Sequence, residues 1–180
     1  PPATAPLPST AAVPTRVPAL PPTPDRLYAA AEAALAARDL AGADHALGRL
    51  VTEFPASSLI DQAHYERARI AYQQRAWAAA RRHLDRLAAI PRTPLAEPGH
   101  YLACRIAVQA RDGEAAQCLS DYRRTFPTSP HDLEALALIV QLTHASRGCA
   151  GAAAAIAELV RTHPRAKLAT AWRTRCPERP

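Results

Sequence analysis

Four cysteines, Cys104, Cys118, Cys149 and Cys176, carry the most reactive side chains of this sequence. Thiols form disulfides, bind soft metal ions such as zinc, or lie buried as small apolar groups. Structural zinc sites use closely spaced ligand pairs, and the chain has neither a CxxC pair nor a histidine at zinc-like spacing. The spacing therefore predicts no metal site. It leaves two alternatives, which are two disulfides formed in an oxidising compartment or free buried thiols.

Catalysis needs polar side chains that converge on one point, and the sequence has no motif of that kind. It lacks a GxSxG nucleophile motif, an HExxH metal motif and a phosphate-binding glycine loop, and it has only six glycines. The histidines are dispersed, and most fall where a solvated helix face or an interhelix turn is expected. They are His45, His64, His83, His100, His131, His144 and His163. The sequence therefore predicts a protein without catalytic residues and without a cofactor.

The chain is basic, with a formal net charge of +6 and a pI near 9.6. Its arginines are interleaved with Asp and Glu, as in ERARIAYQQRAWAAARRHLDRL, and Lys167 is the single lysine. This interleaving is typical of solvated helix faces, and no RNA-binding or zinc-finger signature accompanies it. We therefore expect no nucleic-acid partner. No run of 18 apolar residues occurs, so no segment of this sequence is expected to span a bilayer.

Residues 1–24 are rich in proline and hold nine of the chain's 18 prolines. Proline fixes φ and removes a hydrogen-bond donor, so this segment is expected to be an extended tether that holds a folded unit away from a surface. Because the sequence has no methionine, we expect a longer precursor whose signal or membrane anchor lies upstream. Any membrane association would then depend on that anchor.

After the proline-rich segment, the sequence repeats itself. The segment RDLAGADHALGRLVTEFP (38–55) aligns without a gap on RGCAGAAAAIAELVRTHP (147–164). A proline closes each repeat, and successive closing prolines are 36, 36 and 37 residues apart; they are Pro55, Pro91, Pro127 and Pro164. The repeat predicts four units and a C-terminal cap. Their bounds are 25–55, 59–91, 97–127, 130–164 and, for the cap, 165–176, with a tail at 177–180.

Each unit divides into two helices, such as 59–73 with 76–90 and 97–111 with 113–126. Small side chains are expected to face each other where the two helices pack. The first-helix column is Ala31, Ala68 and Cys104, and the second-helix column is Ala43, Ala80, Ala115 and Ala152. A hairpin of this kind buries its remaining apolar face against the next hairpin. The closing proline ends the second helix, and the Ser or Thr after it is expected to cap the next helix.

This pattern resembles the tetratricopeptide repeat family, whose small-against-small pairing and closing proline recur here in all four units. The period near 36 and the phrases FPASS and FPTSP resemble in particular the repeats of Gram-negative envelope proteins, among them outer-membrane assembly lipoproteins. The family's early tryptophan and first-helix glycine are absent. The resemblance implies an all-α fold, a right-handed α-solenoid of about four helical hairpins with a short C-terminal capping helix.

The resemblance also implies where a partner binds. Repeats of this family bind peptides or proteins in a concave groove lined by the first helix of each hairpin. In this sequence the matching positions are Tyr28, Glu32, Tyr65, Arg69, Tyr72, Gln73, Tyr101, Arg105 and Gln109. Arginine pairs with a carboxylate and glutamine bonds a peptide backbone, so Arg69 and Arg105 are the strongest candidates. The tyrosines have an alternative role as packing between neighbouring repeats.

The four units also suggest a pairing of the cysteines among three possible ones. Cys104–Cys118 would join the two helices of the third unit, and Cys149–Cys176 would join the fourth unit to a cap that contains Trp172. The first pairing has a geometric condition. Cys118 lies one turn beyond the small residue opposite Cys104, whereas a disulfide needs Cα atoms within about 7 Å.

Together these features predict an extracytoplasmic, non-catalytic interaction module that acts as a scaffold in the bacterial cell envelope. The sensory part of a membrane-anchored regulator is an alternative. A cytoplasmic adaptor or chaperone-like subunit is the competing interpretation, and it would keep the cysteines free. An enzyme such as a peptidoglycan hydrolase would need a catalytic domain upstream of residue 1.

Overall fold

A computed structural model describes residues 21–177 of the chain, and these residues form eight helices and no β-strand. The helices are α1 (Pro24–Ala36), α2 (Leu40–Glu53), α3 (Ile60–Gln73), α4 (Trp77–Ala88), α5 (Ala96–Gln109), α6 (Ala115–Thr125), α7 (Asp132–Thr162) and α8 (Lys167–Arg175). Most of the predicted tether, residues 1–20, and the end of the tail, 178–180, lie outside the described residues. Within the described range, no helix combines the length and the apolar character that crossing a membrane requires.

Successive helices pack as hairpins, and each hairpin packs against the next. Helix α1 packs on α2, α3 on α4 and α5 on α6, while α2 contacts α3, α4 contacts α5 and α6 contacts α7. Helix α7 contains both helices of the fourth hairpin, which divide at Gly148, and α8 packs against it. Residues 21–177 therefore form an all-helical stack of hairpins, as predicted.

The small columns predicted from the repeat lie at the centre of the hairpins. Every member of these columns is at most 1% exposed; they are Ala31, Ala68, Cys104, Ala43, Ala80, Ala115 and Ala152. A larger apolar side chain lies one turn later in each second helix, and these are Leu47, Leu84, Leu119 and Ile156. Small side chains let the two backbones approach closely, so the larger ones fill the space between hairpins.

Three hairpins use the same turn between their two helices. Arg75 has a positive φ of 57°, its N–H donates to the Tyr72 carbonyl, and the N–H of Ala76 donates to the Ala71 carbonyl. This is the hydrogen-bond pattern of a Schellman motif. The same bonds surround Arg38 and Arg111, whose φ values are 60° and 56°. Glycine usually holds this left-handed position, so the repeated arginines carry a conformational cost.

The fourth hairpin turns differently. Helix α7 has helical geometry except at Gly148, where φ is 64° and ψ is −165°. Residues with a Cβ almost never adopt this conformation. The glycine therefore makes possible the change of direction between 132–147 and 149–162.

The proline phrases form the turns between hairpins, but the predicted helix caps are wrong. The N-cap residues of α3, α5 and α7 are Leu59, Leu95 and His131, and none has a capping side chain. Hydroxyls two residues earlier accept the N–H of each N-cap residue instead; they belong to Ser57, Thr93 and Ser129. The turn is longer than the sequence suggested, so each hydroxyl stabilises the turn and not the helix end.

Acidic side chains close the last three hairpins. Each lies in the first turn of the first helix and forms a hydrogen bond with a side chain that follows the second helix. The pairs are Asp61–Thr93 at 3.1 Å, Glu97–Ser129 at 2.6 Å and Asp132–His163 at 2.7 Å. The two ends of each hairpin are thereby held together, which fixes where the next hairpin begins.

Helix α8 covers the end of the solenoid, as predicted for the cap. Trp172 is 6% exposed and belongs to an apolar cluster with Leu136, Ile156 and Leu159 from α7. Trp77, at the start of α4, is only half-buried and packs beside Tyr72, with ring centres 5.5 Å apart. Both tryptophans thus contribute to packing.

Candidate functional site

The first helices of successive hairpins share one face of the solenoid, here called the first-helix face. Its members are the side chains of α1, α3, α5 and residues 132–147 that contact one another across hairpins. Helix α3 contacts α5 directly, and side-chain hydrogen bonds join α3 to α5 and α5 to α7. The face is therefore a continuous surface in which each hairpin contributes a similar set of positions.

A groove of about 640 Å³ lies between α1 and α3 on this face, and we call it the α1–α3 groove. Apolar side chains form its floor, and charged and amide groups form its rim. The lining residues are Leu35, Ala36, Arg38, Leu40, Glu66, Arg69, Ile70 and Gln73. A smaller pocket of about 120 Å³ shares Leu35, Glu66 and Arg69 and adds Tyr28 and Glu32. Four of the predicted groove positions, Tyr28, Glu32, Arg69 and Gln73, thus lie around one cavity system.

Arg69 is an exposed cation on the rim of this groove. Its guanidinium donates to Glu66 at 2.8 Å and lies 6.0 Å from the ring centre of Tyr65. The Arg69 side chain is 49% exposed, and its partner is three residues away on the same helix. Exposed pairs of this kind contribute only about 0.3–0.5 kcal/mol, so a ligand carboxylate can compete with Glu66 for Arg69.

Tyr28 faces this charged pair from α1. Burial of the phenol, followed by the nearby Glu66 and Glu32 carboxylates, raises the pKa of Tyr28 above its ordinary value. The hydroxyl therefore keeps its proton in the neutral pH range and remains able to donate a hydrogen bond. Tyr65, at the matching position of α3, also has a raised pKa, mainly because of burial.

Arg105 is held more firmly than Arg69. It is half-buried, donates to the Tyr72 hydroxyl at 3.4 Å and lies 5.8 Å from the ring centre of Tyr101. Burial disfavours the charged guanidinium, but its interactions with Tyr101 and Tyr72 outweigh this effect and raise the pKa of Arg105. Arg105 is therefore a positioned cation that links α5 to α3.

Tyr101 does not offer an open ring to a ligand. Only 7% of it is exposed, its ring stacks on His131 with centres 4.3 Å apart, and its hydroxyl donates to Glu134 at 3.0 Å. His131 and Glu134 belong to the next hairpin. The structure thus gives Tyr101 the packing role that was the alternative for the tyrosine column. Gln109 is exposed at the end of α5 and lines none of the cavities described above.

The sequence reasoning missed several residues that line the α1–α3 groove. Arg38 and Leu40 belong to the turn and the second helix of the first hairpin, and Glu66 and Ile70 lie on α3. The repeat alignment marks Arg38 as a turn position, but only the Schellman turn shows that the groove extends to it. The groove positions implied by the family resemblance lie on first helices alone. The residues on the turn side of the groove were therefore missing from the prediction.

The cysteines pair as the repeat suggested. Cys104 and Cys118 join α5 to α6 with Cα atoms 5.4 Å apart, and Cys149 and Cys176 join α7 to the end of α8 with Cα atoms 5.3 Å apart. Both separations are within the range of a disulfide. The geometric condition on Cys104–Cys118 is met because the Cα atoms approach closely around its small-residue column.

The hairpin stack, the small-residue columns and the open first-helix face define a tetratricopeptide-type repeat protein. Comparison with protein families makes this more specific. The YfiO family, described as outer membrane lipoprotein, matches residues 22–116, which is more than half of the chain, and the protein belongs to this family. No curated protein matches the chain significantly.

Family membership makes this an extracytoplasmic protein, as the sequence predicted, and it adds the outer membrane as the place of anchoring. The two cysteine pairs agree with an oxidising compartment. The cytoplasmic adaptor, which would have kept its cysteines free, is therefore excluded. The matched residues contain the whole α1–α3 groove.

Proposed function

We propose that this protein is a non-catalytic scaffold at the outer membrane and that its α1–α3 groove binds an extended segment of a protein partner. The observation that carries the proposal is the groove itself, an apolar floor with two arginines on its rim. Membership in an outer membrane lipoprotein family supports a partner from outer-membrane assembly or maintenance. It also favours a lipoprotein scaffold over the sensory part of a regulator.

The groove predicts the chemistry of the bound segment. Leu35, Leu40 and Ile70 provide apolar contact for an aliphatic side chain. Arg38 and Arg69 suit a carboxylate, because a guanidinium binds both carboxylate oxygens with two parallel hydrogen bonds. Gln73 offers an amide that both donates to and accepts from a peptide backbone. We therefore expect a segment with an aliphatic residue close to an Asp, a Glu or a free C-terminus.

Arg105 extends this site toward the third hairpin. Its guanidinium is fixed by Tyr72 and Tyr101, so little side-chain freedom is lost when a ligand pairs with it. A long segment would reach from Arg69 to Arg105 along the first-helix face. A second acidic residue in the partner would then raise the affinity.

A displayed peptide library selected on the whole oxidised chain tests this proposal. We expect selected peptides to be enriched in an acidic residue beside an aliphatic one. Fluorescence anisotropy with one selected peptide should show at least about tenfold weaker binding to Arg69→Ala, since a charge-assisted hydrogen bond contributes about 1.5–3 kcal/mol.

The matched control is Arg49→Ala. Arg49 is also exposed and also pairs with a glutamate of its own helix, Glu53, at 2.7 Å, but it lies on α2 outside the groove. Arg49→Ala should bind the peptide as the unchanged chain does. Equal binding by Arg69→Ala and the unchanged chain, or selection of peptides without acidic residues, would refute the proposal.

A further inference from the structure

Each disulfide of this protein has a histidine beside it. The ring nitrogen of His144 and the Sγ atoms of Cys149 and Cys176 all lie within 4.8 Å of one another, and the same holds for His100, Cys104 and Cys118. His100 and Cys104 are four residues apart on α5, so a regular helix places them on one face. His144 and Cys149 are five residues apart, and the break at Gly148 lies between them.

The break at Gly148 explains how the second cluster forms. In an uninterrupted helix, residues five apart point about 140° away from each other. The turn at Gly148 redirects the chain just before Cys149, and both side chains then reach Cys176 at the end of α8. Trp172 packs against His144 with ring centres 5.1 Å apart, which restricts the imidazole.

The two clusters differ in whether a groove opens beside the bridge. Cys149 and Cys176 both line an open groove of about 960 Å³ between α7 and the end of α8. Each bridge has one buried cysteine, Cys104 or Cys176, and one more exposed cysteine, but no cavity described for this chain is lined by Cys104 or Cys118. Thiol–disulfide exchange requires an attacking thiolate to reach a sulfur along the S–S axis, so exposure decides which bridge reacts.

We propose that Cys149–Cys176 is a reducible bridge and that its reduced form, together with His144, binds a soft divalent cation such as Zn²⁺. A dithiol reductant opens the bridge. Its thiolate attacks the sulfur of one cysteine, which breaks the S–S bond, releases the other cysteine as a thiolate and forms a mixed disulfide. The second thiol of the reductant, as a thiolate, then attacks the reductant's own sulfur in the mixed disulfide and releases the first cysteine. The reductant is thereby oxidised to a disulfide, and the two cysteines become thiols by taking up the protons that the reductant lost. Cation binding releases the two thiol protons and leaves both sulfurs bound to the metal.

The ligand set suits zinc. Zinc takes two thiolates at about 2.3 Å and an imidazole nitrogen at about 2.0 Å, with a tetrahedral arrangement that leaves one position for water. Ligand atoms that already lie within 4.8 Å of one another need only small movements to reach these distances. Two thiolates neutralise the charge of the dication, so Arg161 and Arg173, which also line the groove, do not oppose binding through net charge.

The first test asks which bridge opens. The whole chain is treated with limiting dithiothreitol, free thiols are alkylated, and the labelled peptides are mapped. Labelling should appear at Cys149 and Cys176 while Cys104–Cys118 stays intact. If the Cys104–Cys118 bridge opens first, or both bridges open together, the proposal is wrong.

The second test asks whether the opened bridge binds metal. After reductant removal without air, Co²⁺ is added as a spectroscopic substitute for Zn²⁺. We expect thiolate-to-cobalt charge-transfer absorption with one Co²⁺ per chain, and none in the oxidised chain. His144→Ala should weaken Co²⁺ binding at least about tenfold, since loss of one ligand removes a third of the protein donors.

Two controls keep this test decisive. His45→Ala removes an exposed histidine of α2 and should leave Co²⁺ binding unchanged. If α8 detaches on reduction, Zn²⁺ should restore hydrogen-exchange protection to residues 167–176 in the reduced chain but not in the Cys149→Ser/Cys176→Ser variant. Absence of thiolate absorption, unchanged binding by His144→Ala, or failure of Zn²⁺ to restore protection that reduction has removed would each overturn the proposal.

Discussion

The first two hairpins and the last two are held together in different ways. Helices α1 to α4 contain no cysteine, and an ion pair between Asp44 of α2 and Arg67 of α3 joins the two hairpins, with N–O distance 2.7 Å. Helices α5 to α8 carry both disulfides and a half-buried network around Arg123. The N-terminal half also carries the α1–α3 groove.

For the Cys149–Cys176 bridge, the difference reflects what lies next to the last hairpin. Internal hairpins of a solenoid bury both faces against neighbours, whereas the last hairpin has only a cap. Helix α8 has nine residues, fewer than an isolated helix needs for stability, and residues 149–162 expose several alanines to solvent. A covalent link to Cys149 compensates for this small contact. The end of the solenoid therefore depends on oxidation, and the groove half depends on packing.

The largest expected effect combines a cavity with reduction. Leu50 and Leu159 occupy the same repeat column, and both are fully buried. Each Leu→Ala change should cost about 3 kcal/mol, and loss of the Cys149–Cys176 bridge should cost about 3 kcal/mol more in the last hairpin. Hydrogen exchange of residues 149–177 should therefore collapse when Leu159→Ala is reduced. In the Leu50→Ala variant, disulfide reduction should leave the hydrogen exchange of residues 24–53 unchanged. An equal rise in hydrogen exchange in both halves on reduction would contradict the comparison.

The turns provide the second contrast. Gly148→Ala forces a Cβ into a conformation that is nearly restricted to glycine and should destabilise the fourth hairpin by about 1–3 kcal/mol. Arg75→Gly removes the conformational cost of a left-handed arginine from the folded state. It also increases the conformational entropy of the unfolded chain, which offsets part of this gain, so we expect a net stabilisation of about 0.5 kcal/mol. Urea unfolding measures both. Opposite signs support the account, and a destabilising Arg75→Gly would argue against it.

The ion pairs between hairpins should differ in strength. Arg123 is 14% exposed in its side chain and bonds both Asp132 and Glu158, whereas Arg67 is 22% exposed and bonds Asp44, itself 42% exposed. We expect Arg123→Ala to cost about 2 kcal/mol and Arg67→Ala about 1 kcal/mol.

The same network gives Arg123→Ala a second signature. Burial opposes the charge of Asp132, but hydrogen bonds from Arg123 and His163 outweigh it and hold the pKa of Asp132 below its usual value. The stability from this depressed pKa is present above the ordinary carboxyl range and is lost as pH falls through the folded value. Arg123→Ala should therefore unfold at higher pH during acid titration than Arg67→Ala.

The smallest expected effect is a pH response of the second hairpin. Burial, followed by the nearby Arg67, lowers the pKa of His83 to about 4, and burial lowers the pKa of His64 as well. The unfolded chain binds more protons than the fold between about pH 6.5 and 4, so stability is lost as pH falls through this window.

Two histidine variants check this response. His83→Gln should flatten the pH dependence of hydrogen exchange in α3 and α4, and the exposed His45→Gln should not. Burial also lowers the pKa of His100, which lies in the third hairpin and gives that hairpin a pH response of its own. Hydrogen exchange must therefore be compared separately for each hairpin. An unchanged pH profile for His83→Gln would show that His83 does not cause the pH response.

The repeat allowed most of the fold to be predicted from the sequence. Buried columns follow from aligned small and large residues, and the predicted helices 59–73 and 97–111 end within two residues of α3 and α5. The repeat left two roles open for the tyrosines, and it did not indicate that Tyr101 would take the packing role, because its partners His131 and Glu134 come from the next hairpin. The left-handed turn positions could not be recognised from the sequence either, because glycine usually marks such a position and arginine occupies it here.

The site was predicted only on its first-helix side. The family resemblance implied Tyr28, Glu32, Arg69 and Gln73, whereas Arg38 and Leu40 line the groove because of the geometry of the turn. A column pattern describes which residues share a helix face, but a cavity depends on how far two hairpins separate. That separation is set by packing and not by any single repeat.

Site-specific photocrosslinking in the native host tests the central claim, that the α1–α3 groove is the protein-binding site. A photoreactive amino acid would replace Gln73, which lines the groove, and in a matched chain Gln117, which is exposed on the second helix α6. The account predicts a discrete crosslinked product from position 73 that the Arg69→Ala change abolishes, and none from position 117. The same product from both positions, or a product from position 117 alone, would contradict it.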